Sequence, residues 1–239
     1  MRKLLVLILA LLLVACGQSA DDSAPRTLDP ATLQGQLAGF DSYRLSLYIN
    51  VEPEQGEAQG INVQMESVKE PESAHIVFSM QAPQEVAELN SLEFVQIGDD
   101  LYVNVPQFGC MKQSREALGE FGDPMQGVPT ADQLLSTLTS AKRETPDETV
   151  NGILSHHYVF DKGDVQDNEN IESLDGHLYI AVDGGNLVKL TMNGQGSASF
   201  IDPTVLTTGT FSVDLNILDV NTPITIAPLE NCQAPAIAP

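Results

Sequence analysis

"HLYIAVDGGNLVKLTM", residues 177–192, alternates apolar and polar side chains on both sides of an Asp-Gly-Gly-Asn turn. Leu178, Ile180 and Val182 fall on one face of the first run, and Val188, Leu190 and Met192 keep step on the return. A period of two is strand geometry, and a Gly-rich turn between two such runs signals a β-hairpin. The stretch therefore reads as two antiparallel strands with one buried face.

The same period recurs in both directions. In "SYRLSLYINV" (42–51), Tyr43, Leu45, Leu47, Ile49 and Val51 oppose Arg44, Ser46, Tyr48 and Asn50. "INVQMESVK" (61–69) and "HIVFSM" (75–80) repeat it, the latter with Ile76, Phe78 and Met80 on one side. "SLEFVQIGDDLYVNV" (91–105) turns at Gly98-Asp99-Asp100, and "ETVNGILSHHYVF" (148–160) turns at Asn151-Gly152. "TFSVDLNIL" (210–218) adds a strand, and "PITI" (223–226) reads as a short edge strand. Short turns between successive strands make the sheet antiparallel.

Helical signals are few. "LDPATLQGQLAGF" (28–40) offers Asp29 as N-cap, Pro30 at the first helical position, Leu33, Leu37 and Phe40 at helical spacing, and Gly39 as the stop. "PTADQLLSTLTSAKR" (129–143) has a Thr130/Gln133 capping box and an apolar stripe of Ala131, Leu134, Leu135, Leu138 and Ala141. "QSREALGEF" (113–121) is a weaker third. So few helices cannot cover a wide flat sheet, which leaves a sandwich, a closed barrel, or a half-barrel curled around the helices.

The N-terminus carries a different signal. Arg2 and Lys3 precede an apolar run, Leu4 to Ala15, about half of the roughly 20 residues that a bilayer-spanning helix needs. It has the parts of a secretory signal peptide. "LVAC" (13–16) resembles the lipobox of bacterial lipoproteins, which implies cleavage before Cys16 and a diacylglyceryl anchor on it. Residues 16–27 are small, polar and acidic up to the domain, and read as a tether; residues 28–239 read as one domain. Gly17 rather than Asp after the cysteine leaves outer-membrane delivery open in a two-membrane bacterium.

The formal net charge of −22 moves to about −24 once Arg2 and Lys3 are removed. Phosphate backbones and anionic head groups repel such a chain, so nucleic acid is not an expected partner. Of three cysteines, Cys110 and Cys232 remain beside Cys16 in an exported chain, and the simplest expectation is a disulfide, with two free thiols as the alternative.

Taken in order, the lipobox, the tether, the first helix leading into "F-x-SYRL-x-L", the "GDDLYVNV" hairpin, the Leu-rich helix, "V-N-G-x-x-x-HHY-x-F", the 178–192 hairpin and "FSVDLNILDVNTPITI" resemble the LppX/LprG type of lipid-carrier lipoproteins. That type is similar in fold to the LolA and LolB carriers. The resemblance implies an α+β, mostly β fold: a curved antiparallel half-barrel of about nine to eleven strands with two or three short helices on its concave face, enclosing an apolar cavity for acyl chains. The expected lining is Leu134, Leu135 and Leu138 from the helix, with Phe78, Met80, Leu178, Ile180, Leu190 and Met192 from strands.

Catalytic readings fare poorly. His156 and His157 are neighbours in a strand and point to opposite faces, while His75 and His177 fall on the polar side, so the four histidines read as surface or turn residues. The oxygen-rich "DKGDVQDNENIESLDG" (161–176) lacks the spacing of a calcium loop and reads as a solvated loop. "GQGSASF" is not a nucleophile elbow. No metal or cofactor pattern is present, and the expected protein is not an enzyme. It is a lipid-anchored protein on the outer face of a membrane that binds or transfers a lipid or other hydrophobic molecule, with an envelope protein as a further partner. The alternative is a surface scaffold or sensor lipoprotein with a closed core.

Overall fold

In the computed structural model, residues 24–81, 91–115, 129–198 and 207–233 are described. The signal segment, Cys16 and most of the tether lie outside them, as do residues 116–121 of the weak third helical stretch. One twelve-stranded sheet runs through these residues. Its strands are β1 (Thr27–Leu28), β2 (Ser42–Pro53), β3 (Gln59–Val68), β4 (Ser73–Gln81), β5 (Ser91–Ile97), β6 (Asp100–Val105), β7 (Gly109–Ser114), β8 (Ala141–Val150), β9 (Ile153–Asp161), β10 (Ile171–Ala181), β11 (Leu187–Ala198) and β12 (Thr207–Leu218).

Every ladder is antiparallel, and the order is β1-β8-β9-β10-β11-β12-β2-β3-β4-β5-β6-β7. Two meanders, β2–β7 and β8–β12, are thus joined where β12 pairs with β2. β1 and β7 remain as edges, so the curved sheet is neither a closed barrel nor a sandwich.

Register explains why the alternation works. Tyr158, Leu178, Leu190, Leu215, Leu47, Val63, Phe78 and Leu92 pair in one continuous row from β9 to β5. Slipping any strand by one residue would turn its whole apolar set to water. The row and its neighbours form one core with Leu33, Ala131, Leu134, Leu135 and Leu138, so the short helical pieces sit on this inner face.

The helical pieces are shorter than expected. Residues 30–40 form two 3₁₀ turns, Pro30–Leu33 and Gln36–Gly39. Asp29 does cap the first, accepting from Ala31 N at 3.0 Å. The break falls at Gly35, whose φ of 75° is left-handed and whose N–H donates to Asp132 Oδ1 at 2.9 Å. The Leu-rich helix, α1, is Ala131–Ser136, with the capping box in place. At its end the Ser136 and Thr137 hydroxyls donate back to the Gln133 and Leu134 carbonyls, and Thr139 N donates to Asp164 O at 2.8 Å instead of continuing the helix. Ala141, placed on the helix by its spacing, instead opens β8 opposite Leu28.

The edges of the sheet depart from the expected strands. β1 is two residues long and β7, "GCMKQS", has no apolar period, so neither is visible as a strand in sequence. "PITI" is not a strand. It belongs to an irregular strap that begins beside β2, where Asn221 N donates to Ser42 O at 2.8 Å. The strap ends on β7, where Gln233 N donates to Cys110 O at 3.0 Å and Lys112 N donates to Gln233 O at 2.8 Å. A disulfide joins Cys110 to Cys232. The strap caps part of an otherwise free strand edge.

Close approach fixes Gly176 as a glycine. A Cβ on Gly176 would lie 2.2 Å from the ring of Phe160, which is itself buried. Gly176→Ala is expected to cost about 1–3 kcal/mol through this overlap. A thermal melt should show the midpoint several degrees lower, and an unchanged midpoint would mean the ring is free to move.

Candidate functional site

From β10 to β5 the inner face is apolar but unevenly covered. Leu134, Leu135, Leu138, Leu178, Ile180, Leu190 and Met192 are between 0 and 5% exposed and belong to the single core. Phe78 and Met80 are half-buried. Phe78 continues sideways into Leu92 and Phe94, then Val103 and Met111, by register. Leu92, Phe94 and Val103 are also half-buried, Met111 is exposed, and Phe108 at the β6–β7 turn is 74% exposed. The nine residues expected to line a cavity therefore divide. Leu134 and Leu135 on α1, and Leu138, which lies past its end rather than on it, pack tightly with Leu178, Ile180, Leu190 and Met192, while Phe78 and Met80 lie on a partly open apolar strip that also includes Phe94 and Val103. Their signal was available in the period of "SLEFVQI" and "DLYVNV".

A polar cluster interrupts the inner face at the β8–β9 end. Glu144 pairs with His157 and Glu148 with Ser155, so β8 carries extra residues between these pairs, a bulge. There Asp147 Oδ1 accepts hydrogen bonds from Arg143 Nη2 and, at 3.2 Å, from His156 Nδ1. The guanidinium lies 5.9 Å from the centroid of the Tyr158 ring. The side chains of Arg143, Asp147 and His156 are only 7, 11 and 11% exposed. Arg143 Nε is buried without a hydrogen-bond partner. Burial pushes the Asp147 carboxyl up, but the hydrogen bonds from His156 and Arg143 outweigh it and hold the group below the usual carboxylate range.

On the outer face, His157 and His177 meet. His157 Nε2 lies 2.9 Å from His177 Nδ1, and the Tyr179 ring stacks on His157 at 4.7 Å. His156 and His157 do point to opposite faces, as neighbours in a strand must, and His75 and His177 lie half-buried on the polar side. His156 and His157 are buried, however, rather than surface or turn residues, because β9 lies between β8 and β10 and acidic side chains close over both rings.

A second outer-face feature is a groove of about 440 Å³ lined by Arg44, Ser46, Gln64, Glu66, His75 and Leu218, among others. Its charges are already matched: Arg44 Nε donates to Glu66 at 2.7 Å and Nη1 to Asp219 at 2.5 Å, and His75 Nε2 lies 3.0 Å from Glu93. The oxygen-rich 161–176 stretch uses its own carboxylates for turns. Asp161 caps Lys162–Asp164, and buried Asp164 accepts from Ser140 Oγ and from Asp161 N at 3.2 Å. Burial raises the Asp164 carboxyl, but Ser140, the Asp161 N–H and Lys142 bring it below its ordinary value. The stretch is therefore only partly a solvated loop, since its second part enters β10.

No family model and no curated protein matches the chain. Among solved structures it is similar to LprF from Mycobacterium bovis, with TM-score 0.43 and 13% identity over 83% of this chain and 94% of that one. It is also similar to a LolA superfamily protein from Nitrosomonas europaea, with TM-score 0.28 and 12% identity over 83% of this chain and 96% of that one. At such values no ligand and no residue's role passes from either protein to this chain.

Proposed function

We propose that the chain is an exported lipoprotein, held on a membrane through Cys16 and a tether of residues 16–27, whose inner sheet face binds or carries a lipid or another hydrophobic molecule. The observation that carries this reading is the half-covered apolar strip of Phe78, Met80, Leu92, Phe94 and Val103, continuous with a fully packed core on the same face. An acyl chain laid on it would gain roughly 0.8 kcal/mol per CH₂ removed from water. Two or more acyl chains on Cys16 would give durable attachment, which one alone does not. The chain's part is binding and release, with no bond made or broken.

Protein purified without detergent is expected to carry an acyl-chain adduct in native mass spectrometry. Phe94→Asp, a charge placed on the partly open strip where it need not unfold the core, should lower lipid retention at least about tenfold. A wild-type chain that neither carries an adduct nor takes up fatty acid would refute the reading. A second reading, a scaffold or sensor with a closed core, is favoured by the dense packing of Leu134, Leu135, Leu178 and Leu190. A folded, lipid-free protein that co-purifies with an envelope partner is its signature.

A further inference from the structure

His157 and His177 are diagonal neighbours on the outer face, since β9 and β10 pair Val159 with His177 and His157 with Tyr179. Their outward nitrogens are both engaged by carboxylates. His157 Nδ1 lies 3.1 Å from Glu148 and 3.8 Å from Glu144, and His177 Nε2 lies 3.1 Å from Asp175. Stacking of Tyr179 on His157, with planes 9° apart, holds the ring's orientation. The remaining nitrogens, Nε2 of His157 and Nδ1 of His177, therefore face each other across 2.9 Å.

Carboxylates that take the far N–H of each imidazole, leaving the near nitrogens convergent, are the arrangement that orients metal-ligating histidines. We propose that this pair is a binding site for a divalent first-row transition ion that favours imidazole, copper(II) ahead of zinc(II). With metal–nitrogen bonds of about 2.0–2.1 Å, adjacent positions of a tetragonal copper(II) ion hold two nitrogens roughly 2.8–3.0 Å apart and a tetrahedral zinc(II) ion roughly 3.3 Å, so the observed spacing suits copper(II) once both rings turn their lone pairs toward the ion. The ion displaces the proton that the N···N hydrogen bond holds, and that proton leaves to solvent. Among the described residues no three potential ligands converge on one point, so the protein supplies two and water completes the shell. Access is from the His177 side, whose side chain is 29% exposed, whereas His157 is 7% exposed. The net charge of −22 draws any cation to the surface, but imidazole selects copper and zinc over calcium and magnesium.

The test is titration calorimetry of the whole chain, freed of metal by chelator, with Cu²⁺, Zn²⁺ and Ca²⁺. One Cu²⁺ per chain is expected, bound at least about 100-fold more tightly than Ca²⁺, with an electron paramagnetic resonance spectrum split by two imidazole nitrogens. Asp175→Asn, which removes only the orienting carboxylate, should weaken Cu²⁺ binding about tenfold, and His177→Asn more than that. Both changes lie on the half-exposed side of the pair, and circular dichroism checks that the sheet is retained. Copper binding no tighter than calcium, affinity unchanged in His177→Asn, or a spectrum without two nitrogens would each overturn the site.

Discussion

Replacing Cys110 and Cys232 with serine is expected to lower stability by about 4–5 kcal/mol. The disulfide spans 122 residues, and in the chain-entropy account a loop of that length restricts the unfolded chain by this amount. Geometry shows why the native state accepts the link without rearrangement. The strap leaves the sheet at Ser42 on β2 and returns at Cys110 on β7, five strand intervals or about 24 Å away. The ten steps from Thr222 to Cys232 reach about 33 Å when extended, so the strap spans the gap with about 9 Å to spare. Hydrogen bonds at both ends, Asn221 N to Ser42 O and Gln233 N to Cys110 O, are made by backbone atoms that the substitutions leave in place. The loss should therefore act on the unfolded ensemble, appearing as a urea midpoint lower by roughly 1.5–2 M with the native circular dichroism retained. An equal midpoint for the serine variant and the oxidised protein would show that the denatured chain is already confined.

The sheet was legible because burying one face imposes a period of two wherever a strand is long enough to show it. Leu45, Leu47 and Ile49 on β2 and Val213, Leu215 and Ile217 on β12 carry that period, and register then fixes them as neighbours. What was not legible lies where burial is one-sided, short or irregular. β7 is an edge strand with polar residues at half of its positions, and β1 is two residues long. The choice of an open sheet over a barrel or sandwich is set by which strands remain unpaired, which no single strand's pattern records. Gly35 shows the other limit. Leu33 and Leu37 do sit at helical spacing, but a left-handed residue between them divides the segment into two turns.

The polar groups were harder still, because their partners are chosen by register rather than by spacing. His157 and His177 are 20 positions apart and meet only because Val159 pairs with His177. In "AKRETPDETV", Arg143 reads as the end of a helix and Asp147 falls outside every periodic stretch. A bulge that adds residues to β8 turns Asp147 inward, and a bulge of this kind leaves no periodic trace.

That inward turn makes Arg143→Met the most damaging single change expected in the polar part of the inner face, at about 3–5 kcal/mol. Breaking one side of a buried ion pair leaves the other charge without compensation, and here Asp147 would keep only His156. Adding Asp147→Leu to Arg143→Met removes the stranded charge, so the double variant should lie within about 1–2 kcal/mol of wild type, the remainder reflecting His156 Nδ1 without its acceptor. The two costs are thus strongly non-additive, and a thermodynamic cycle from urea unfolding measures the coupling directly. The pH dependence has a definite sign. Asp147 is held below its ordinary carboxylate value when folded, so the stability it contributes is present above the unfolded value of about 3.9 and is lost as pH falls through the lower folded value. The gap between wild type and Arg143→Met should therefore be full at neutral pH and close under acid conditions. Additive costs at neutral pH, or a gap that survives in acid, would mean that the cluster is held by packing around Tyr158 and not by its charges.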